Sequence, residues 1–279
     1  MISYPISVRE LCRRIEKILP ATRNRGGALR KGGRRSWHTR ARLEEHKVIA
    51  AGEFPEDALH LWNELKRVFA LIQGDQSTRV KCAYCERHLH LGKNNLPDGD
   101  IDHFRPKSLY PMLAYHVRNY VLSCRICNET YKQDYFPITR QRATKTKRLN
   151  DLYAEQAYLV NPLDPQEPNL EDIIGFDGIL GISLAIPGTW QDARANAMID
   201  TFKINNRDDL RREQTEIICE IFLAKTGNPS DLLTQSVLTR AADRFEEHTN
   251  CAMSYLKLWD VDVAYAKLLG QEAYDTLYP

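Results

Sequence analysis

Residues 101–132 read IDHFRPKSLYPMLAYHVRNYVLSCRICNETYK, and the reading of the fold turns on the last nine. Cys124-Arg-Ile-Cys127 is a C-x-x-C knuckle, and a second, Cys82-Ala-Tyr-Cys85, precedes it with 38 residues between them. Each knuckle aims two thiolates at one point. Two together complete the tetrahedral all-sulfur shell that zinc takes in closed structural sites. Such a shell keeps no open coordination position, so the expected zinc holds structure and any chemistry falls to the loop that it closes. The other cysteines, Cys12, Cys219 and Cys251, sit in helical, partly apolar surroundings and read as buried thiols.

The closed loop carries Asp102-His103, then Arg105, Pro106 and Lys107. Near the second knuckle stand Asn119, five residues before Cys124, and Asn128, directly after Cys127. An Asp carboxylate and an Asn amide oxygen are hard donors, and two of them match the few protein ligands that Mg2+ or Mn2+ takes while keeping waters and phosphate oxygens. Asp102 and Asn128 are therefore the expected ligands of a catalytic metal. His103 is the expected general base, because an unperturbed imidazole titrates close to neutrality. Arg105, Lys107, Arg125 and Lys132 supply cations for phosphate around the same point. The reading is hydrolysis of a phosphodiester. Singly, an Asp-His pair is a surface feature and Asn128 a helix N-cap; their joint placement around two knuckles carries the argument. His88 and His90 lie close to the first knuckle but are read as surface or packing residues, since four cysteines fill the shell. Glu86, beside Cys85, is read as a hydrogen-bond acceptor supporting the zinc ligands.

The arrangement KCAYCE … IDHFRPK … NYVLSCRICNETYK resembles the HNH endonuclease superfamily, whose ββα-metal site is commonly cradled by two zinc knuckles. The resemblance implies that Asp102 is the metal-binding acid, His103 the general base, Asn119 the middle residue that orients the histidine's loop, and Asn128 the second metal ligand, with Asn in place of the family's His. Tyr120 stands where Leu usually follows the middle Asn, a difference expected to matter only for packing. The segments CAYCE, DHFRPKSLYP and NYVLSCRICNETYKQDYFP are most similar to PtuB-like HNH effectors of Septu and retron-associated antiphage systems, and NPLDPQEPNL and FKINNRDDLRREQ resemble segments that follow the nuclease there. This branch implies a partner ATPase and a nuclease restrained until infection, with DNA ahead of RNA as substrate. The specific match covers Lys81 to Pro137, about a fifth of the chain.

Composition frames this reading. The 279 residues are 43% hydrophobic and 27% charged, ordinary for a folded chain of one large domain or a few small ones. No apolar run approaches the ~20 residues that span a bilayer and no leader pattern opens the chain, which points to the cytoplasm. The net charge of +2 averages over segregation: eight Lys or Arg and no acid between Thr22 and Arg42, seven acids and no Lys or Arg between Asp151 and Asp177. The basic, glycine-punctuated stretch is either a nucleic-acid contact or a solvated loop. Apolar residues at three- and four-residue steps predict a helix over 55–73, with Trp62 and Phe69 in its core face. Asp177-Gly178 predicts a hairpin turn within 175–184, and helical periodicity returns from Leu210 to Phe222 and from Leu232 to Trp259. The expected fold is mostly α with a small ββα-metal module organised by a four-cysteine zinc site: a helical region with the basic loop at 1–75, the nuclease module at 76–145 and a mainly helical region at 146–279. The competing reading is a zinc-organised nucleic-acid-binding or assembly module without catalysis, which explains the knuckles and the basic stretch but not the conjunction of Asp102, His103, Asn119 and Asn128.

Overall fold

The computed structural model describes residues 1–20, 35–75, 79–92, 94 and 96–279. Most of the basic stretch at 22–42 lies outside the described residues; of its cations that are described, Arg40 is committed to Glu64 at 2.5 Å. The described chain is mostly helical, with small two-stranded sheets. Its segments group into two units that alternate along the sequence, where the sequence suggested three consecutive regions: one holds Tyr4–Val80 and Leu89–Glu167, the other Met1–Ser3, Lys81–His88 and Pro168–Pro279.

The unit holding Tyr4–Val80 begins with α1 (Val8–Ile18), started by the Ser7 hydroxyl accepting from the Glu10 N–H and burying Leu11 and Ile15. Ser36 caps α2 (Trp37–Ala51) in the same way, and Gly52 ends it in the left-handed region. The helix predicted over 55–73 is shorter than its periodicity suggests. Only Lys66–Gln73 is α-helical (α3), preceded by a 3₁₀ turn at Leu61–Leu65. The carbonyls that a longer helix would need are taken: the Tyr115 hydroxyl donates to Leu59 O at 2.8 Å and the Trp37 indole N–H to Leu61 O at 2.9 Å. Trp62 and Phe69 are buried as expected.

After the short antiparallel pair β1 (Gly74–Asp75) and β2 (Arg79–Val80) come the strands that build the site. β3 (Asp100–His103) pairs antiparallel with β4 (Tyr120–Ser123), setting Asp102 opposite Val121 and His103 opposite Tyr120. A π-helical turn, Ile126–Lys132, follows, closed by the Gln133 N–H on Asn128 O at 2.8 Å. The free edge of β4 is covered by a side chain. Gln73, fully buried at the end of α3, donates to Leu122 O at 2.7 Å and accepts from Leu122 N–H at 2.9 Å, pairing as a strand would. Gly99 lets the chain enter β3, since a Cβ there would lie 2.5 Å from Ser123 O. The unit also contains α4 (Leu149–Ala154).

The second unit adds α5 (Leu170–Ile173) and the hairpin of β5 (Ile174–Asp177) and β6 (Leu180–Ser183). Gly178 takes φ 58° at the first turn position, the conformation its two-residue loop requires. Helices α6 (Trp190–Thr201), α7 (Asp208–Thr226), α8 (Leu232–Ala241), α9 (Thr249–Val261) and α10 (Val263–Leu277) complete it. Ile218, Ile221, Cys251, Tyr255 and Ala266 form the centre of its core. The periodicity from Leu232 to Trp259 is thus two helices, parted where His248 adopts φ 48° and its Nε2 lies 2.8 Å from a Glu213 carboxylate oxygen. Among the described residues no helix is long and apolar enough to cross a membrane.

Candidate functional site

The ligating sulfurs of Cys82, Cys85, Cys124 and Cys127 all lie within 4.8 Å of one another. A tetrahedron of Zn–S bonds near 2.3 Å has sulfur edges of about 3.8 Å, so four converging thiols fit a zinc ion with small adjustments. Backbone N–H groups of Tyr84 and Cys127 approach the Cys82 and Cys124 sulfurs, each at 3.4 Å, favouring the thiolate form that zinc needs. Cys219 and Cys251 are buried and Cys12 half-buried, and burial raises the pKa of each of these thiols. His90 is exposed, while the His88 Nε2 lies 2.9 Å from the Phe245 carbonyl. Glu86 has a different task from the one expected. Its buried carboxylate meets the Met1 ammonium, Lys81 at 3.3 Å and the Asn250 N–H at 3.2 Å. Burial alone would raise it, but the two cations outweigh burial and hold it at about 2.

Asp102 and His103 are both buried at the end of β3, with His103 retaining 7% exposure. The His103 Nε2 lies 3.0 Å from the Ala114 carbonyl oxygen. A carbonyl can only accept, so Nε2 carries the hydrogen and the neutral ring keeps its lone pair on Nδ1. Burial, the largest cause, drives the imidazole pKa down to about 3; the Ala114 hydrogen bond opposes this, while Lys107, Lys132 and His60 add repulsion. Tyr120 donates to the same Ala114 carbonyl at 2.5 Å and sets its ring edge-on to His103, centroids 5.1 Å apart. Its role therefore exceeds the packing read from the sequence.

Asn119 is buried at the start of β4. Its amide nitrogen donates to Arg105 O at 2.9 Å and its oxygen accepts the Arg105 N–H at 2.8 Å, clipping the chain that leaves His103. The four expected phosphate contacts divide. Arg105 is turned inward, with its guanidinium on Glu155 at 3.2 Å and on Leu152 O at 3.0 Å, above the rings of Phe104, Tyr110 and Phe136. Lys132 is fully buried, its ammonium 3.0 Å from each oxygen of Asp102 and 2.9 Å from His103 O. A buried carboxylate needs such a partner, and sequence spacing did not disclose that Asp102 would find it here. Arg125 is exposed, 3.3 Å from Asp100. Lys107 stands over the rings of Phe54 and Trp62, with no carboxylate partner among the described residues. Of the four, Arg125 is the most exposed and Lys107 is half-buried.

Asn128 is half-exposed, and its side-chain amide makes no hydrogen bond among the described residues. It precedes Lys132 by four positions, close to one π turn, so Asn128 and Lys132 project from one side of the turn, and Lys132 reaches Asp102. The donor set fits a divalent cation. Lys132 donates to Asp102 Oδ1 and lies 3.0 Å from Oδ2 as well, so a metal at Asp102 would share the carboxylate with the ammonium.

No family model and no solved structure matches the chain. Two curated proteins do, both named Septu protein PtuB. The one from Bacillus mycoides (strain KBAB4) is 31% identical over 203 residues, 66% of this chain and 64% of its own length. The one from Bacillus thuringiensis is 32% identical over 85 residues, 30% of each chain. The chain thus spans less than two thirds of the curated relatives that it matches.

Proposed function

We propose that this protein is a divalent-metal-dependent nuclease of the HNH type, acting on DNA ahead of RNA as an effector of Septu-like antiphage defence beside an ATPase partner. The observation that carries the chemistry is the tautomer of His103: the Ala114 carbonyl requires the proton on Nε2 and leaves Nδ1 as a base, one residue from Asp102. The similarity to Septu protein PtuB supports the defence setting.

Asp102 and Asn128 would hold Mg2+ or Mn2+, which when bound supplies Lewis-acid stabilisation of the charge on the leaving oxygen. His103 accepts a proton from the attacking water at Nδ1. Its depressed pKa suits the resting state, and a phosphodiester's negative charge favours the imidazolium, so the substrate itself strengthens the base. Asn119 and Tyr120 position His103 without touching substrate, the first through the Arg105 backbone and the second through the shared Ala114 carbonyl. Lys107 and Arg125 attract the phosphate backbone, and the four-cysteine zinc keeps the turn bearing Asn128 in register with its knuckle.

The Lys132–Asp102 ion pair favours a second reading, a zinc-organised nucleic-acid-binding module whose acid is neutralised internally. One experiment separates the two. Plasmid DNA and mixed RNA are incubated with purified protein in Mn2+ or Mg2+, beside His103→Ala and a metal-free control. The nuclease yields metal-dependent products with 5′ phosphate and 3′ hydroxyl ends and loses them in the variant. Nucleic-acid binding unchanged by His103→Ala, with no cleavage even when the ATPase partner is added, establishes the binding module.

A further inference from the structure

Beside His103 lies an aromatic cluster that the catalytic chemistry does not use. Trp62 sets its ring edge-on to His103, centroids 4.5 Å apart at 82°. His60 stacks on Trp62 at 4.7 Å and 21°, while Phe54 contacts His60, Trp62 and Tyr115 at 6.1, 5.7 and 6.2 Å. Trp62 and Tyr115 are buried, but Phe54 is half-exposed and His60 exposed. The Lys107 ammonium stands 5.6 Å from the Phe54 centroid and 5.9 Å from that of Trp62, held by the ring faces and paired with no carboxylate among the described residues.

The backbone beneath this shelf is fixed. Tyr115 and Trp37 pin the carbonyls of Leu59 and Leu61, and the buried carboxylate of Glu44 accepts the Leu59 N–H at 3.2 Å. The rings are therefore organised before any ligand arrives, so that less conformational entropy is lost on binding.

We infer that Phe54 and His60, the latter backed by the buried Trp62, form a stacking platform for one unstacked nucleobase, with Lys107 on the adjoining phosphate, and that the His103 site takes single-stranded nucleic acid. The inference rests on the nuclease reading of that site. Within a duplex each base face is covered by its neighbours, whereas an unpaired base offers its π-face to an aromatic shelf. A cation without an internal partner beside that shelf supplies the backbone contact.

The test uses the zinc-loaded full chain without added Mg2+ or Mn2+. Anisotropy measures binding of a fluorescein-labelled strand of about 20 nucleotides, alone and as a blunt duplex, to wild type, His60→Ala, Phe54→Leu and Lys107→Gln. His60 is exposed, so its replacement leaves the fold intact, with thermal melting and zinc content as controls. The single strand is expected to bind more tightly than the duplex. His60→Ala should weaken it by about 5- to 140-fold, the range found for one base stack, while duplex affinity stays within about twofold. Lys107→Gln should weaken both and reduce the salt slope by about one charge. Equal affinity for strand and duplex, or a single-strand affinity unmoved by His60→Ala, overturns the platform. Cleavage lost in His103→Ala alongside an indifferent His60→Ala retains the nuclease and removes the platform. Strand binding lost in His60→Ala, with no cleavage of any nucleic acid when Mn2+ and the ATPase partner are then added, supports the platform and removes the nuclease.

Discussion

Replacing Lys132 by Met should unsettle the site more than any surface cation. The ammonium has three hydrogens and three acceptors, both oxygens of Asp102 at 3.0 Å and His103 O at 2.9 Å, and the two side chains are 0% and 5% exposed. At an effective dielectric near 20, opposite unit charges 3 Å apart attract by about 5 kcal/mol. Desolvation of both ions offsets part of that in the intact pair, but truncating one partner leaves the other charge buried without this counter-ion, which costs about 3–5 kcal/mol. Urea denaturation at pH 7.5 with zinc held constant should show that loss for Lys132→Met. The double variant Asp102→Asn/Lys132→Met should recover part of it, since no lone charge then remains. The proposed metal adds a second readout. With Lys132 gone, its ammonium no longer competes for Asp102, so Mn2+ should stabilise Lys132→Met more than wild type and leave the double variant unaffected, by the linkage between ligand binding and folding. A loss below about 1 kcal/mol for Lys132→Met would refute the buried pair. Equal Mn2+ effects on the single and double variants would refute Asp102 as a metal ligand.

The four-cysteine cluster predicts one zinc per chain by elemental analysis, and Cys124→Ser should lower both zinc content and the melting temperature, because zinc-binding energy is folding energy; a zinc-free wild type with unchanged melting would remove the ion from the fold. In acid, His103 and His116, driven by burial to about 3 and about 4 from an ordinary value near 6.5, should destabilise the protein. With the folded pKa depressed, their contribution is fully present above about pH 6.5 and falls as pH drops toward 4 and then 3, by on the order of 4 kcal/mol for His103; denaturant melts between pH 7 and 4 that show no slope would contradict their burial. Gln73→Leu should cost about 2–5 kcal/mol by leaving both backbone groups of Leu122 unpaired in the interior, and a change under 1 kcal/mol by urea melting would show that β4 does not rely on that side chain.

The knuckle spacing alone made the four-cysteine cluster legible, because two C-x-x-C turns have few other ways to satisfy four thiols. The hairpin at Gly178 was equally local, since a two-residue turn needs a residue that accepts positive φ. The sequence also placed Asp102 and His103 together, by adjacency. It did not disclose which groups would surround them. The Ala114 carbonyl that fixes the His103 tautomer is backbone, and backbone acceptors have no residue signature. The helix read over 55–73 stops short because indole and phenol donors from distant segments claim its carbonyls, a competition that periodicity does not encode. Lys132 and Arg105 looked like two more cations for phosphate; tertiary structure turned them inward, since a buried carboxylate binds a cation more strongly than water does. Local chemistry thus named the candidate residues, and long-range burial decided which of their charges are paired inside the fold.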